Sequence, residues 1–143
     1  MFIEEAIRGK FELMAKAVPK NMGHALGIQF LHVSRDEMKA SMPVDENTIQ
    51  PMGILHGGAS VALAETLASV GAWVNLKDDD QAAVGLEINA NHIRSVPFGE
   101  TVTGTARPLH RGAKTQVWEI RIETVQGKLV SVSRCTLAIV KRR

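Results

Sequence analysis

A single cysteine, Cys135, occurs among 143 residues, so no intrachain disulfide can form and no cysteine-based zinc site can be built. Charge of neither sign prevails. The 17 Lys and Arg against 15 Asp and Glu leave a formal +2, too small a balance to argue for nucleic-acid binding. The basic end Lys141-Arg142-Arg143 reads as a solvated tail. The start, Met1-Phe-Ile-Glu-Glu, is acidic and lacks the basic-then-apolar order of a signal peptide. Aromatic residues make up only 4% of the chain, and Trp73 and Trp118 read as core rather than as ligand platforms. There is no internal repeat, linker or low-complexity run. Together with 45% hydrophobic and 22% charged residues, this predicts one globular domain over residues 1–143, in a reducing cytoplasm.

What the chain does have is an unusual stretch from Ile54 to Asn75. It opens on Gly57-Gly58, runs without proline, and is built mostly of Ala, Val, Leu, Ser and Gly. Between His56 and Lys77 its only ionisable group is Glu65. A helix apolar nearly all round is a buried helix. Its Ala and Gly content, with Glu65 in the middle, argues against a membrane span. The small residues Ala59, Ala62, Ala64, Ala68, Gly71 and Ala72 would let a neighbour pack close to the axis. A lone carboxylate in such a helix is costly unless it is paired, hydrogen-bonded or protonated.

Around this helix the periodicities alternate. Residues 2–17 place Ile3, Ala6, Ile7, Phe11, Met14 and Ala15 at helical spacing, closed by Pro19 and Gly23. Leu26–Val33 and Met38–Val44 read as two strands around a turn at 34–37, with Pro43 implying that the second ends at a sheet edge. After the acidic turn Lys77–Asp80 the period becomes two. Val84, Leu86, Ile88 and Ala90 are expected on one face of a strand reaching about Arg94. Further strands are expected around Val102–Ala106, Trp118–Ile122 and Leu129–Val140. The connecting turns fall at Pro97–Gly99, Pro108–Lys114 and Gln126–Gly127. The fold class predicted is α+β, a largely antiparallel sheet with the long helix on one face. The uncovered edge or face would favour oligomers.

The helix start offers chemistry. Its first N–H groups lack partners and carry partial positive charge, and Gly57 and Gly58 allow a ligand close to that backbone. One such donor aimed at an oxyanion is worth about 2.7–4 kcal/mol. Gln50, in the preceding loop, could serve the same oxygen or hold a water. Ser69 lies one turn beyond Glu65 on the same face. His56 and Glu65, however, are separated by about 13 Å of rise and about half a turn in excess, so within one chain they point apart. A two-fold dimer would bring the helix start of one subunit opposite Glu65 of the other. The set suits hydrolysis of an activated acyl group without a metal. Taken singly, His56 reads as a helix cap, Gly57-Gly58 as a turn, Glu65 equally as a structural acid, and Gln50 and Ser69 as solvated or locally bonded residues.

At these residues the chain resembles the hotdog-fold thioesterases, in the branch that hydrolyses aromatic acyl-CoA esters. That branch includes the phenylacetate-pathway thioesterases, the menaquinone-pathway 1,4-dihydroxy-2-naphthoyl-CoA thioesterases and the Arthrobacter-type 4-hydroxybenzoyl-CoA thioesterases. The likeness runs over residues 24–140. It rests on Met42-Pro-Val-Asp45, Thr48-Ile-Gln-Pro-Met-Gly53, Leu55-His-Gly-Gly-Ala-Ser60, Leu63-Ala-Glu-Thr66, Val84-Gly-Leu-Glu-Ile-Asn-Ala-Asn-His92 and Gln116-Val-Trp-Glu-Ile120. The resemblance implies a hotdog fold, an antiparallel sheet wrapped around the central helix. It also implies a homodimer with shared sites, assembled into a homotetramer, and no cofactor beyond the coenzyme A of the substrate.

The roles it implies can be placed residue by residue. Glu65 is the nucleophile or the general base. The Gly57 amide polarises the thioester carbonyl, Gln50 and His56 orient substrate and helix start, and Ser69 is the hydroxyl near the carboxylate. Gly85, His92, Ile93, Arg94, Ser95 and the turn His110, Arg111, Gly112, Ala113, Lys114, Thr115 are expected to contact coenzyme A. Two positions depart from the pattern: Ser95 stands where the branch has proline, and Ala113 where it has arginine. That leaves Arg111 or Lys114 to face a phosphate. A hydratase or dehydratase using His56 with Glu65, and a non-catalytic acyl-CoA-binding module, are the competing readings of the same residues.

Overall fold

The computed structural model describes all 143 residues. Its elements run β1 (Phe2–Ile3), α1 (Arg8–Ala17), α2 (Met22–Ala25), β2 (Gln29–Val33), β3 (Met38–Pro43), α3 (Gly57–Val74), β4 (Gln81–His92), β5 (Thr101–Arg111), β6 (Thr115–Thr124) and β7 (Leu129–Lys141), with a 3-10 turn at Glu5–Ile7. The seven strands form one sheet in the order β1-β2-β3-β5-β6-β7-β4. Every neighbouring pair is antiparallel except β1 with β2. This is the hotdog arrangement, a curved sheet around one long helix.

Helix α3 starts where His56, in extended conformation, caps it: the Gly58 N–H donates to His56 Nδ1 at 2.7 Å. It ends where Asn75 turns back and its side-chain amide donates to the Gly71 carbonyl at 2.8 Å. Leu63, Ala64, Leu67, Ala68 and Ala72 are buried against the sheet. The small residues are what allow this. A Cβ at Gly71 would lie 2.7 Å from the Trp118 ring, and one at Gly104 of β5 would lie 2.8 Å from Leu67. Helix and sheet therefore meet backbone to side chain. Trp118 is fully buried, its indole N–H donates to Gln116 Oε1 at 2.9 Å, and the Gln116 amide donates to the Ala72 carbonyl at 3.3 Å. The polar edge of the largest core residue is thus satisfied by Gln116 of its own strand, which is in turn tied to the helix.

Gly71→Val should consequently lower stability by about 1–3 kcal/mol through overpacking, despite valine's better helix propensity. Gly9→Ala in α1, where nothing lies within 4 Å of the added carbon, should be neutral or slightly stabilising. Urea unfolding of both variants checks this, and equal midpoints would contradict the packing argument.

Helix α1 lays Phe11 edge-on against Phe30 of β2, ring centroids 5.4 Å apart. Lys10 sits 5.1 Å over the Trp73 ring and donates to the Leu76 carbonyl at 3.2 Å, tying α1 to the end of α3. Burial there lowers the Lys10 pKa from its ordinary value, with Asp79 acting in the opposite direction.

Several expectations are corrected. Residues 2–17 are not one helix, because Phe2–Ile3 pair with β2 as a strand before α1 begins. The segment from Leu26 is not yet strand: the turns of α2 reach Leu26, Gly27 takes a φ of 72°, and β2 starts at Gln29. For Pro43 the expectation holds locally: β3 as a whole lies between β2 and β5, but its pairing with β2 stops at Ser41, so Pro43 pairs with Thr101 of β5 alone. Strand β5 runs through Pro108 to Arg111 with a register shift between Pro108 and His110, so the turn is shorter than expected. In β4 a register shift between Gly85 and Glu87 breaks the alternation, leaving Val84 45% and Leu86 62% exposed. β4 pairs only with β7, so its outer edge is free. No helix is long and apolar enough to cross a membrane.

Candidate active site

Glu65 sits half-buried at the middle of α3, facing a cavity of about 760 Å³ between that helix and the arm formed by α1 and α2. Its carboxylate enters none of the chain's ion pairs, which join Arg8 to Glu5 and Glu12, Glu37 to Lys39 and Arg107, and Arg111 to Asp36. Strand β4 makes room for it: a Cβ at Gly85 would fall 2.7 Å from Glu65 Oε1. The register shift just after Gly85 and the glycine itself therefore have one local effect, letting the carboxylate lie against the strand. Ser69 lines the same cavity. Thr66 does too, but its hydroxyl donates to the Ala62 carbonyl at 2.7 Å and is spent on its own helix. An acid held open to a cavity and away from every cation is poorly explained as a structural acid.

Gly58 also borders the Glu65 cavity, but Gly57, the first residue of the helix, faces elsewhere. Gly57, Gln50, His92, Ile93, Arg94 and Ser95 line a separate cavity of about 300 Å³. The Gly58 N–H is consumed by His56, and the next two amides donate to the His56 carbonyl. The Gly57 N–H, at the first helical position, has no acceptor in the chain. Gln50 Oε1 accepts from the Met52 N–H, leaving its amide hydrogens free. The His92 ring stands over the helix start, 2.9 Å from where a Cβ on Gly57 would be. His56 is exposed and acts as the cap. With Nδ1 accepting, the neutral ring carries its proton on Nε2. Within one chain, then, Glu65 with Ser69 and Gly57 with Gln50 line different cavities, as their spacing along the helix requires.

The third group lies further off. His110 and Arg111 end β5, and Gly112, Ala113 and Lys114 make the turn, closed by the Gly112 N–H donating to the Thr115 carbonyl at 2.9 Å. Arg111, Gly112 and Ala113 line a cavity of about 340 Å³ with Asn75. Arg111 is engaged there, its Nη1 donating to Asp36 Oδ1 at 2.8 Å and to the Arg35 carbonyl at 3.0 Å. Lys114 is exposed and in no ion pair. Cys135 is fully buried behind Glu65. Burial, then the neighbouring Glu65 and Glu87, push its thiol up to about 11, so it stays protonated and is no nucleophile at neutral pH. No cluster of three or more His, Cys, Asp or Glu side chains converges anywhere.

Sequence reasoning missed the opposite wall of the Glu65 cavity. Phe11 and Met14 come from α1, and Met22 and His24 from α2. The amphipathic spacing of α1 was visible; that its buried face would roof the Glu65 side of α3 was not.

Residues 52–131 match the model of the thioesterase superfamily. The chain is 50% identical over 119 residues to a 1,4-dihydroxy-2-naphthoyl-CoA hydrolase of Escherichia coli, covering 83% of this chain and 86% of that one. A thioesterase of Haemophilus influenzae has a solved structure that superposes with a TM-score of 0.84 at 43% identity, over 91% of this chain and 90% of that one. The PaaI protein of the Escherichia coli phenylacetic acid degradation operon shares the fold, with a TM-score of 0.86 at 23% identity, over 99% of this chain and 98% of that one.

Proposed function

This chain belongs to the thioesterase superfamily and is a thioester hydrolase of hotdog fold; from that premise we propose that it cleaves aromatic acyl-CoA esters to the free acid and coenzyme A, in a homodimer with two shared sites. The observation that carries the reading is the pair of half-sites. One is an unpaired carboxylate in a cavity, and the other an unpaired helix-start amide in a different cavity, each lacking what the other has. The free edge of β4 next to Glu65, with Val84 and Leu86 exposed on it, supplies a surface for a second copy.

In the joined site the Gly57 amide of one protomer binds the thioester carbonyl oxygen, and the free amide of Gln50 supports it. Glu65 of the other protomer attacks the carbonyl carbon, or takes a proton from the water that does. The carbon–sulfur bond breaks, the thiolate leaves and is protonated, and water supplies the hydroxyl of the acid. Ser69 holds the carboxylate or the water. No cofactor takes part. The coenzyme A lies outside the acyl cavity along Gly85 and His92–Ser95, with Lys114 the free cation of the 110–115 turn. A tetramer of two dimers in the cytoplasm completes the reading.

A panel of benzoyl-, hydroxybenzoyl-, naphthoyl-, phenylacetyl- and straight-chain CoA esters, scored by thiol release, tests it. Aromatic esters are expected to give the highest kcat/KM. Turnover confined to straight chains would refute the acyl class. A hydratase would instead consume the conjugation of an enoyl-CoA without releasing thiol.

A further inference from the structure

The cavity in front of Glu65 has two ionisable side chains on its walls, Glu65 itself and His24. They come from opposite sides, Glu65 from α3 and His24 from α2. His24 is exposed to solvent at the rim of this cavity, and most of the cavity's other lining is apolar or already bonded. Asn21 spends both ends of its amide, Oδ1 accepting from the His24 N–H at 3.1 Å and Nδ2 donating to the Val18 carbonyl at 2.8 Å. Phe11, Met14, Ile28 and Phe30 offer only carbon to the cavity. The His24 imidazole makes no hydrogen bond and no ion pair, while its backbone is fixed. The capping bond from Asn21 holds one end of α2, and the Leu26 and Ile28 amides donate back to the Met22 and Gly23 carbonyls at 3.0 and 2.9 Å. Gly27, at a φ of 72°, turns the chain directly into β2. A side chain free to bond, on a backbone that is not free to move, faces the same space as the reactive acid.

We propose that His24 is a specificity residue, which hydrogen-bonds a hydroxyl on the part of the acyl group farthest from the thioester carbonyl. A neutral imidazole carries one donor and one acceptor, which matches a hydroxyl that does both. The apolar walls hold the ring by burial, without distinguishing a hydroxylated ring from a bare one. A fixed polar partner makes that distinction, because a hydrogen bond left unmet once the acyl ring has displaced water from the imidazole is costly. His24 touches no reacting atom and takes no part in the chemical step.

This inference rests on the hydrolase reading for the identity of the cavity, and the test separates the two. Glu65→Gln protein, which binds without turning over, is titrated with 4-hydroxybenzoyl-CoA and with benzoyl-CoA. It should bind the hydroxylated ester about tenfold more tightly. Adding His24→Ala should erase that preference while leaving benzoyl-CoA affinity within about twofold, and His24→Gln, which keeps a donor and an acceptor, should retain part of it. In the active protein His24→Ala should lower kcat/KM for the hydroxylated ester alone. A hydroxyl preference surviving in His24→Ala, or an equal loss for both esters, overturns the assignment while normal turnover leaves the hydrolase reading intact. A His24-dependent preference in binding, with no thiol release from any ester by the unmodified protein, supports His24 and removes the hydrolase reading instead.

Discussion

Glu65→Gln should lower kcat by about 10²–10⁴-fold with no loss of thermal stability, the span that general-base catalysis by a placed side chain commands. The two halves of this prediction belong together. Glutamine keeps the volume and polarity of glutamate, so the contacts around the position persist, including the close approach to Gly85. It cannot take a proton from water or attack a carbonyl. A structural acid would behave otherwise: its loss breaks an ion pair or network and typically costs several kcal/mol when the pair is buried. Glu65 is in no ion pair, so stability has nothing to lose there. Half-buried beside a thiol that burial keeps protonated, it is a group the fold tolerates rather than uses. Thiol release and a melting curve on the same preparation decide the matter. A drop in Tm of several degrees with turnover largely kept would return Glu65 to the structural reading.

The legibility of this chain followed the range over which its signals act. Helix α3 could be read almost to the residue, because its cap, its apolar run and its stop at Asn75 are all local. The hairpin turn at Gly127 and the turn at Gly99, which joins two strands that do not pair, were equally local, each glycine taking a positive φ of 82° or 94° that its turn needs. What failed was anything set by partners far away in sequence. Phe2–Ile3 look helical until β2 offers them a ladder, and Pro108 looks like the start of a turn until β6 carries β5 through it to Arg111. The alternation of Val84, Leu86 and Ile88 gave no sign of the irregularity after Gly85. Yet that glycine is where the strand yields to Glu65. The same division holds for the site. The residues of α3 and its leading loop announced themselves by type and spacing. His24, in a four-residue helix with no periodicity of its own, became visible only once α1 and α2 were seen to face the same cavity.

Mixing two disabled proteins should restore activity, and this is the most direct consequence of a site split between protomers. Gly57→Pro is the partner variant for Glu65→Gln. The position is the first of the helix, where proline's φ suits and where no hydrogen bond within the chain is lost, and His56 before it is already extended at a ψ of 130°. The His92 ring must turn aside for the new carbons, and it is an exposed side chain able to do so. The substitution removes one N–H, the donor assigned to the carbonyl oxygen, and should cost about 10²–10³-fold in kcat. Each variant alone is then nearly inert. After exchange of subunits, a mixed dimer pairs the intact Glu65 of one chain with the intact Gly57 of the other at one site, and both lesions at the second. Random exchange makes half the dimers mixed, so about a quarter of the unmodified activity should return. A site complete within one chain returns nothing on mixing, because every site keeps one lesion. Recovery near a quarter would therefore report the proposed geometry, in which each protomer lends its helix start to the other's acid.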